Sequence, residues 1–174
     1  MKTFITTSSG IHINPLDPDP SKINIVDIVH ALSNICRYGG HCTPFYSVAE
    51  HECRLYEIVP PAYANVALMH DSAEAYLLDI PSLVKAELPG YIEAEDRLLR
   101  LIFEKYGIDY DELHSFTEYE DILLATEVRD LHINSEGWDI THVPLVHHIY
   151  PLSPPYAEKL LMRLMAEACI VDPR

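Results

Sequence analysis

The chain is predicted to be an all-α protein of one domain. Apolar residues recur at helical spacing in successive stretches after residue 24, and strand-like patterning is confined to the N-terminus. No linker, internal repeat or low-complexity segment divides the 174 residues. A chain of that length can bury a sizeable core as one compact unit, 1–174.

Residues 1–24 are expected to form a short hairpin and a loop. Phe4-Ile5-Thr6-Thr7 and Ile11-His12-Ile13 flank the turn signal Ser8-Ser9-Gly10, and the Pro-rich run from Pro15 to Pro20 then forbids regular structure. A first helix carries Ile25, Ile28, Val29, Leu32 and Ile35 and stops before Gly39-Gly40. Ser47 is placed to cap a second helix bearing Val48, His51, Leu55 and Ile58, which Pro60-Pro61 ends. A third is expected over 62–78, closed by Asp79-Ile80-Pro81. Further helices are expected over 92–106, before Gly107, and over 118–131, with Ile122, Leu123, Ala125 and Val128 apolar. A His- and Pro-rich loop follows, and 156–170 forms the last helix. The core is therefore 25–131, and 132–174 supplies a loop and a closing helix.

Composition narrows the function classes. Twelve basic against 27 acidic side chains give a formal net charge of −15, which argues against gripping a nucleic-acid polymer, whose affinity rests on Lys and Arg neutralising phosphates. A small anionic ligand remains compatible, because a metal ion and a few cations can dominate one pocket. No apolar run approaches the ~18–20 residues that span a bilayer, so no membrane partner is expected. The first ten residues carry one charge and too short an apolar stretch for a signal peptide. The expected location is the cytoplasm, or the host cytoplasm for a phage-encoded chain. Cys36, Cys42, Cys53 and Cys169 contain no Cys-x-x-Cys pair and are expected to be buried thiols rather than a zinc site.

The chemistry concentrates on four polar residues from three apolar helices: His51, the adjacent pair His70-Asp71, and Asp121. Adjacent helical residues diverge by about 100°, so His70 and Asp71 straddle the edge of a buried face. Asp121 sits beside Ile122-Leu123-Leu124, where an unpaired carboxylate is costly to bury. Two imidazoles and two carboxylates suit one divalent ion, with Zn²⁺, Mn²⁺, Co²⁺ or Fe²⁺ favoured over Mg²⁺. The competing reading makes His70 a hydrogen-bonded core histidine and Asp71 a solvated charge. Spacing alone does not prove that the helices converge.

These residues fall into recognisable strings: Phe45-Tyr-Ser-Val-Ala-Glu-His51, Met69-His-Asp-Ser-Ala-Glu74, Asp79-Ile-Pro-Ser-Leu-Val-Lys85 and Asp121-Ile-Leu-Leu-Ala-Thr-Glu-Val-Arg-Asp-Leu131. Together they resemble the HD-domain metal-dependent phosphohydrolases, above all the small deoxynucleotide hydrolases of phages and bacteria. The resemblance runs from about Ile25 to Leu131. It implies an HD-type helical bundle, His51, His70, Asp71 and Asp121 as metal ligands, and Glu74 and Asp79 in the catalytic positions. Glu74 is four residues from His70 and so shares its helix face; a cation there would make water more acidic while a neighbouring carboxylate handles protons. Without the His-Asp pair, Glu74 would read as a surface charge and Asp79 as a helix-end residue.

The same resemblance suggests Arg37 and Lys85 as phosphate contacts, with a solvated surface charge as the alternative for each; His41, after the double glycine, is expected either to line the pocket or to be structural. Arg129 is either another phosphate contact or a local partner of Glu127 or Asp130. Leu78 stands where many HD proteins have Gly, and Leu83 where they often have Pro. No second His pair adjoins His70-Asp71, so one metal is expected; His142, His147 and His148 form an alternative cluster outside the matched strings. The implied reaction is hydrolysis at the 5′ phosphate of a deoxynucleotide. A dATP triphosphohydrolase stands first and a deoxynucleoside 5′-monophosphatase second, with a non-catalytic nucleotide sensor as a different class. A triphosphate would call for more cations, with Lys22, Arg54 or a neighbouring subunit as candidates. Leu98, Leu101 and Ile102, or the last helix, are candidate faces for a homo-oligomer, with intramolecular core as the alternative.

Overall fold

The computed structural model describes residues 3–173; Met1, Lys2 and Arg174, at the ends of the expected 1–24 and 132–174 segments, lie outside them. Strands β1 (Ile5–Thr6) and β2 (His12–Ile13) pair antiparallel, Ile5 opposite Ile13 and Thr6 opposite His12. The turn between them closes at Gly10, whose φ of 85° is one that glycine adopts without steric cost. Helices follow: α1 (Ile25–Asn34), α2 (Val48–Ile58), α3 (Ala64–Ala67), α4 (Glu74–Leu77), α5 (Ser82–Lys85), α6 (Pro89–Tyr106), α7 (Thr117–Asp130) and α8 (Pro154–Glu167). The protein is thus mostly helical with one small hairpin, as the patterning predicts.

Helix α2 sits at the centre, packed against α1, α3, α7 and α8, while α1 also packs on α4 and α8. The Ser47 side chain caps α2 by accepting the Glu50 N–H at 3.1 Å. The hairpin is docked by one carboxylate. Asp27 accepts from Ser8 Oγ (2.6 Å), Ser9 N (2.7 Å), Ser9 Oγ (2.6 Å) and Asn24 Nδ2 (2.6 Å), and the Asn24 side chain in turn caps α1. Leu98 and Ile102 of α6, and Leu161 and Met165 of α8, are fully buried in the core. Leu101 is half-buried, and Tyr156 at the start of α8 is exposed.

The main departure concerns the helix expected over 62–78. It breaks into α3 and α4, and residues 68–73 between them wind more tightly, with Met69 N bonded to Val66 O (3.0 Å), Ser72 N to Met69 O (3.0 Å) and Glu74 N to Asp71 O (2.9 Å). The Ala67 carbonyl there accepts His70 Nδ1 at 3.0 Å, a side-chain bond that competes with regular helix. Helix α5 lies where no element was expected, and α6 starts ahead of the expected 92, at Pro89, a residue suited to a first helical turn. Helix α8 ends at Glu167, short of the expected 170, which leaves Cys169 exposed. Cys42 and Cys53 are buried and Cys36 half-buried, all free thiols, with Cys36 Sγ and Cys42 Sγ 3.8 Å apart.

Candidate metal centre

His51 from α2 and His70-Asp71 from the tight turns converge. One ligand atom from each lies within 4.8 Å of the other two, the one such His/Cys/Asp/Glu group among the described residues. The imidazole rings are 5.3 Å apart, and Phe116 closes the far side of His70 edge-on at 5.7 Å.

Each imidazole has one nitrogen already committed. A carbonyl only accepts, so the His70 Nδ1–H donates to Ala67 O and Nε2 faces Asp71 Oδ2 at 3.3 Å. His51 Nδ1 lies 2.6 Å from Glu127 Oε1. Burial alone would raise the Glu127 carboxyl, but His51 and Arg37 beside it hold it down to about 2. Glu127 is therefore ionised and accepts, which leaves Nε2 as the His51 nitrogen with a free lone pair. Metal-binding histidines commonly show this arrangement, with the second nitrogen oriented by a carboxylate or carbonyl. Burial would lower His70, yet Asp71 raises it; burial would raise Asp71, yet His70 and then Arg37 lower it. Each of the two thus favours the charged form of the other. The donor set fits one divalent ion.

Glu127 was missed by the sequence reading. It is completely buried in α7 and also accepts the hydroxyls of Tyr46 (2.9 Å) and Tyr38. Its only sequence signal was a carboxylate among Ala125, Thr126 and Val128. Glu52, one residue past His51, was missed too. It is fully buried, and burial, then the charges of Asp71 and Glu74, push its carboxyl well up.

A cavity of about 760 Å³ opens onto the group, lined by His51, His70, Asp71, Glu74, Asp79, Arg37, Lys85 and Asp121 among others. Glu74 is buried with Oε2 unpartnered; burial and then the charges of Asp71 and Asp79 push its carboxyl up to about 10. Asp79 is half-buried and raised by burial. Arg37 donates to Asp71 Oδ2 (3.2 Å) and approaches Glu127 (3.8 Å). Lys85 pairs with Glu95 (2.8 Å) and approaches Glu74 (3.9 Å).

Asp121 borders the same cavity but stands outside the three-residue group. Its side chain is 49% exposed, 3.8 Å from His142 Nδ1. Its neighbour Glu120 comes closer in, 3.8 Å from His70 Nε2. His41 is exposed and does not line the cavity: Tyr38, Gly39 and Gly40 all have left-handed φ (58°, 59°, 79°), and of the segment 37–41 Arg37 and Tyr38 are the residues that line it. His148 bonds Asp130 (2.8 Å), apart from His142, so the loop histidines form no metal group among the described residues. Arg129 grips Asp130 with two nitrogens (2.7 and 2.8 Å) and the carbonyls of Leu145 and His147, tying the loop to α7.

No protein-family model matches the chain. An uncharacterized Escherichia coli (strain K12) protein, YfdR, is 39% identical over 165 residues, covering 92% of each chain. An uncharacterized Rhodobacter capsulatus protein is 36% identical over 110 residues, covering 58% of this chain and 56% of its own. The chain belongs to the family of Escherichia coli YfdR.

Proposed function

We propose that the chain is a metal-dependent phosphohydrolase of HD type that cleaves the 5′ phosphate of deoxynucleotides. One observation carries this reading: two imidazoles oriented through Nδ1 meet Asp71 on the wall of a cavity that also holds the buried, unpartnered Glu74 oxygen. His51, His70 and Asp71 hold the ion, and Asp121, on the cavity rim, is the fourth ligand. Zn²⁺, Mn²⁺, Co²⁺ and Fe²⁺ match imidazole with carboxylate better than Mg²⁺ does. The bound ion would polarise a phosphoryl oxygen and acidify water beside it.

The side chains supply the rest. Arg37 and Lys85 orient phosphate oxygens, Arg37 as a planar fork and Lys85 as a point charge. Glu74, in its protonated form, donates to the departing 5′ oxygen as the P–O bond breaks and water adds to phosphorus, and the proton that water loses passes to Asp79. Asp79 is the second carboxyl able to exchange a proton at the same wall.

The count of cations bears on the substrate. Among the described residues, only Arg37 and Lys85 bring permanent positive charge to the cavity. Lys22 does not line it, and Arg54 is held by Glu50 (3.0 Å) and Glu57 (3.5 Å). A phosphate monoester carries up to about two negative charges, and a triphosphate more. The monophosphate is therefore the better-balanced substrate, which reverses the order expected from the resemblance. A dATP triphosphohydrolase stays as the second reading because the cavity is roomy.

Incubating the metal-loaded protein with dAMP and with dATP, then separating the products, tests both. Orthophosphate from dAMP supports the first reading. Tripolyphosphate from dATP with nothing from dAMP replaces it with the second. No product from either overturns the function.

A further inference from the structure

The cavity has a wall that the phosphate chemistry does not use. Trp138, the chain's single tryptophan, lines the same cavity as the ion-binding group, together with Pro81 and Leu83. An indole normally contributes to a core or an interface, yet Trp138 is 47% exposed and Leu83 is 85% exposed. Both apolar surfaces are held at the mouth of an otherwise charged site.

The ring is presented by a defined turn. Trp138 N–H donates to Ser135 O at 2.9 Å, Glu136 N–H donates to Asn134 Oδ1 at 3.0 Å, and Gly137 supplies the left-handed φ of 86°. The loop is anchored on both sides. Ile133 N–H donates to Val128 O (3.2 Å) before the turn, and Leu145 N–H to Thr126 Oγ1 (2.9 Å) after it. The loop that carries Trp138 is therefore tied to α7, the helix that contributes Asp121 and Glu127.

We propose that Trp138 is the stacking platform for the nucleobase, so that the cavity holds its substrate at two ends: the phosphate at Arg37 and Lys85, the planar ring against Trp138. This rests on the phosphohydrolase reading and adds the element that tells a nucleotide from a bare sugar phosphate. Stacking tolerates different bases, because every base presents a π-face. Trp138 thus selects for the presence of a base more than for its identity.

The test compares dAMP with 2-deoxyribose 5-phosphate, which has the same phosphate and sugar and no base. The ratio of their kcat/KM values falls roughly tenfold in Trp138→Ala, within the usual worth of one base–aromatic stack, and stays within about threefold of wild type in Trp138→Phe, which keeps an aromatic face. In chelator, where turnover stops, dAMP quenches the fluorescence of the single tryptophan and 2-deoxyribose 5-phosphate does not. A wild-type ratio in Trp138→Ala, or equal quenching by both probes, overturns the proposal. The two readings fail separately: hydrolysis of dAMP with an unchanged ratio removes only the stacking role, and an absence of hydrolysis by wild type removes the phosphohydrolase reading.

Discussion

His51 Nδ1 and Glu127 Oε1 lie 2.6 Å apart in the interior, and this contact decides which His51 nitrogen can hold an ion. Glu127 is also the acceptor for Tyr38 and Tyr46 and a neighbour of Arg37, so one buried carboxylate organises four side chains around the site. Glu127→Gln is expected to lower divalent-metal affinity about 10- to 100-fold, read by calorimetric titration. Glu127→Ala is expected to cost about 3–5 kcal/mol of stability in urea unfolding, because it strands buried partners. Wild-type affinity in Glu127→Gln would remove its orienting role.

Glu74, the proton donor in the proposed reaction, weakens the fold. Its carboxyl is raised to about 10, so folding favours the protonated form. As pH climbs from the ordinary carboxylate range near 4 towards that value, the unfolded chain ionises first and stability drains away. Glu74→Gln removes this loss. The metal-free variant is expected to be more stable than wild type by about 1–3 kcal/mol at pH 7, with the difference shrinking towards pH 4. Its turnover of dAMP is expected to fall at least 10²-fold, the usual reach of acid–base catalysis. Denaturant curves across pH, paired with initial rates, check both.

Asp27 behaves in the opposite sense. Burial would raise it, but the hydrogen bonds from Ser8 and Ser9 outweigh burial and hold it well below the carboxylate range. Its contribution is complete above the unfolded value near 4 and is lost as pH falls through the lowered folded value. Asp27→Ala is expected to cost about 2–3 kcal/mol at pH 7, with a gap to wild type that narrows below about pH 4. Urea unfolding at pH 7 and pH 3 measures it.

Leu78 sits at φ 72°, ψ 155° directly after α4, a conformation held almost only by glycine and costing other residues about 1–3 kcal/mol. Its side chain is exposed, so little packing offsets the strain. Leu78→Gly is expected to stabilise the protein by about 1 kcal/mol, after allowing for the added freedom of glycine in the unfolded chain. A lower melting temperature in the variant would contradict this.

Much of this was legible in the sequence because it is local. The Ser47 cap, the α1 stripe and the Gly10 turn are written in neighbouring residues, and the His70-Asp71 doublet advertised itself as polar among Leu68, Met69 and Ala73. The break between α3 and α4 was not legible, since it follows from a side-chain bond, His70 to the Ala67 carbonyl. Glu127 and Glu52 were hidden for a related reason: a buried carboxylate is recognisable only once its long-range surroundings are known. The orientation of His41 turned on three consecutive left-handed residues, of which the double glycine signalled only two.

In the proposed reaction His51, His70 and Asp71 hold one divalent ion on which phosphate release depends. The direct measurement strips the protein with chelator, restores Mn²⁺, Co²⁺, Fe²⁺ or Zn²⁺ in steps and follows orthophosphate released from dAMP. Activity is expected to return with at least one of these ions, to level off near one equivalent per chain and to be absent in His70→Ala. Orthophosphate release that ignores chelation, or a His70→Ala protein that binds metal and turns over like wild type, would contradict this.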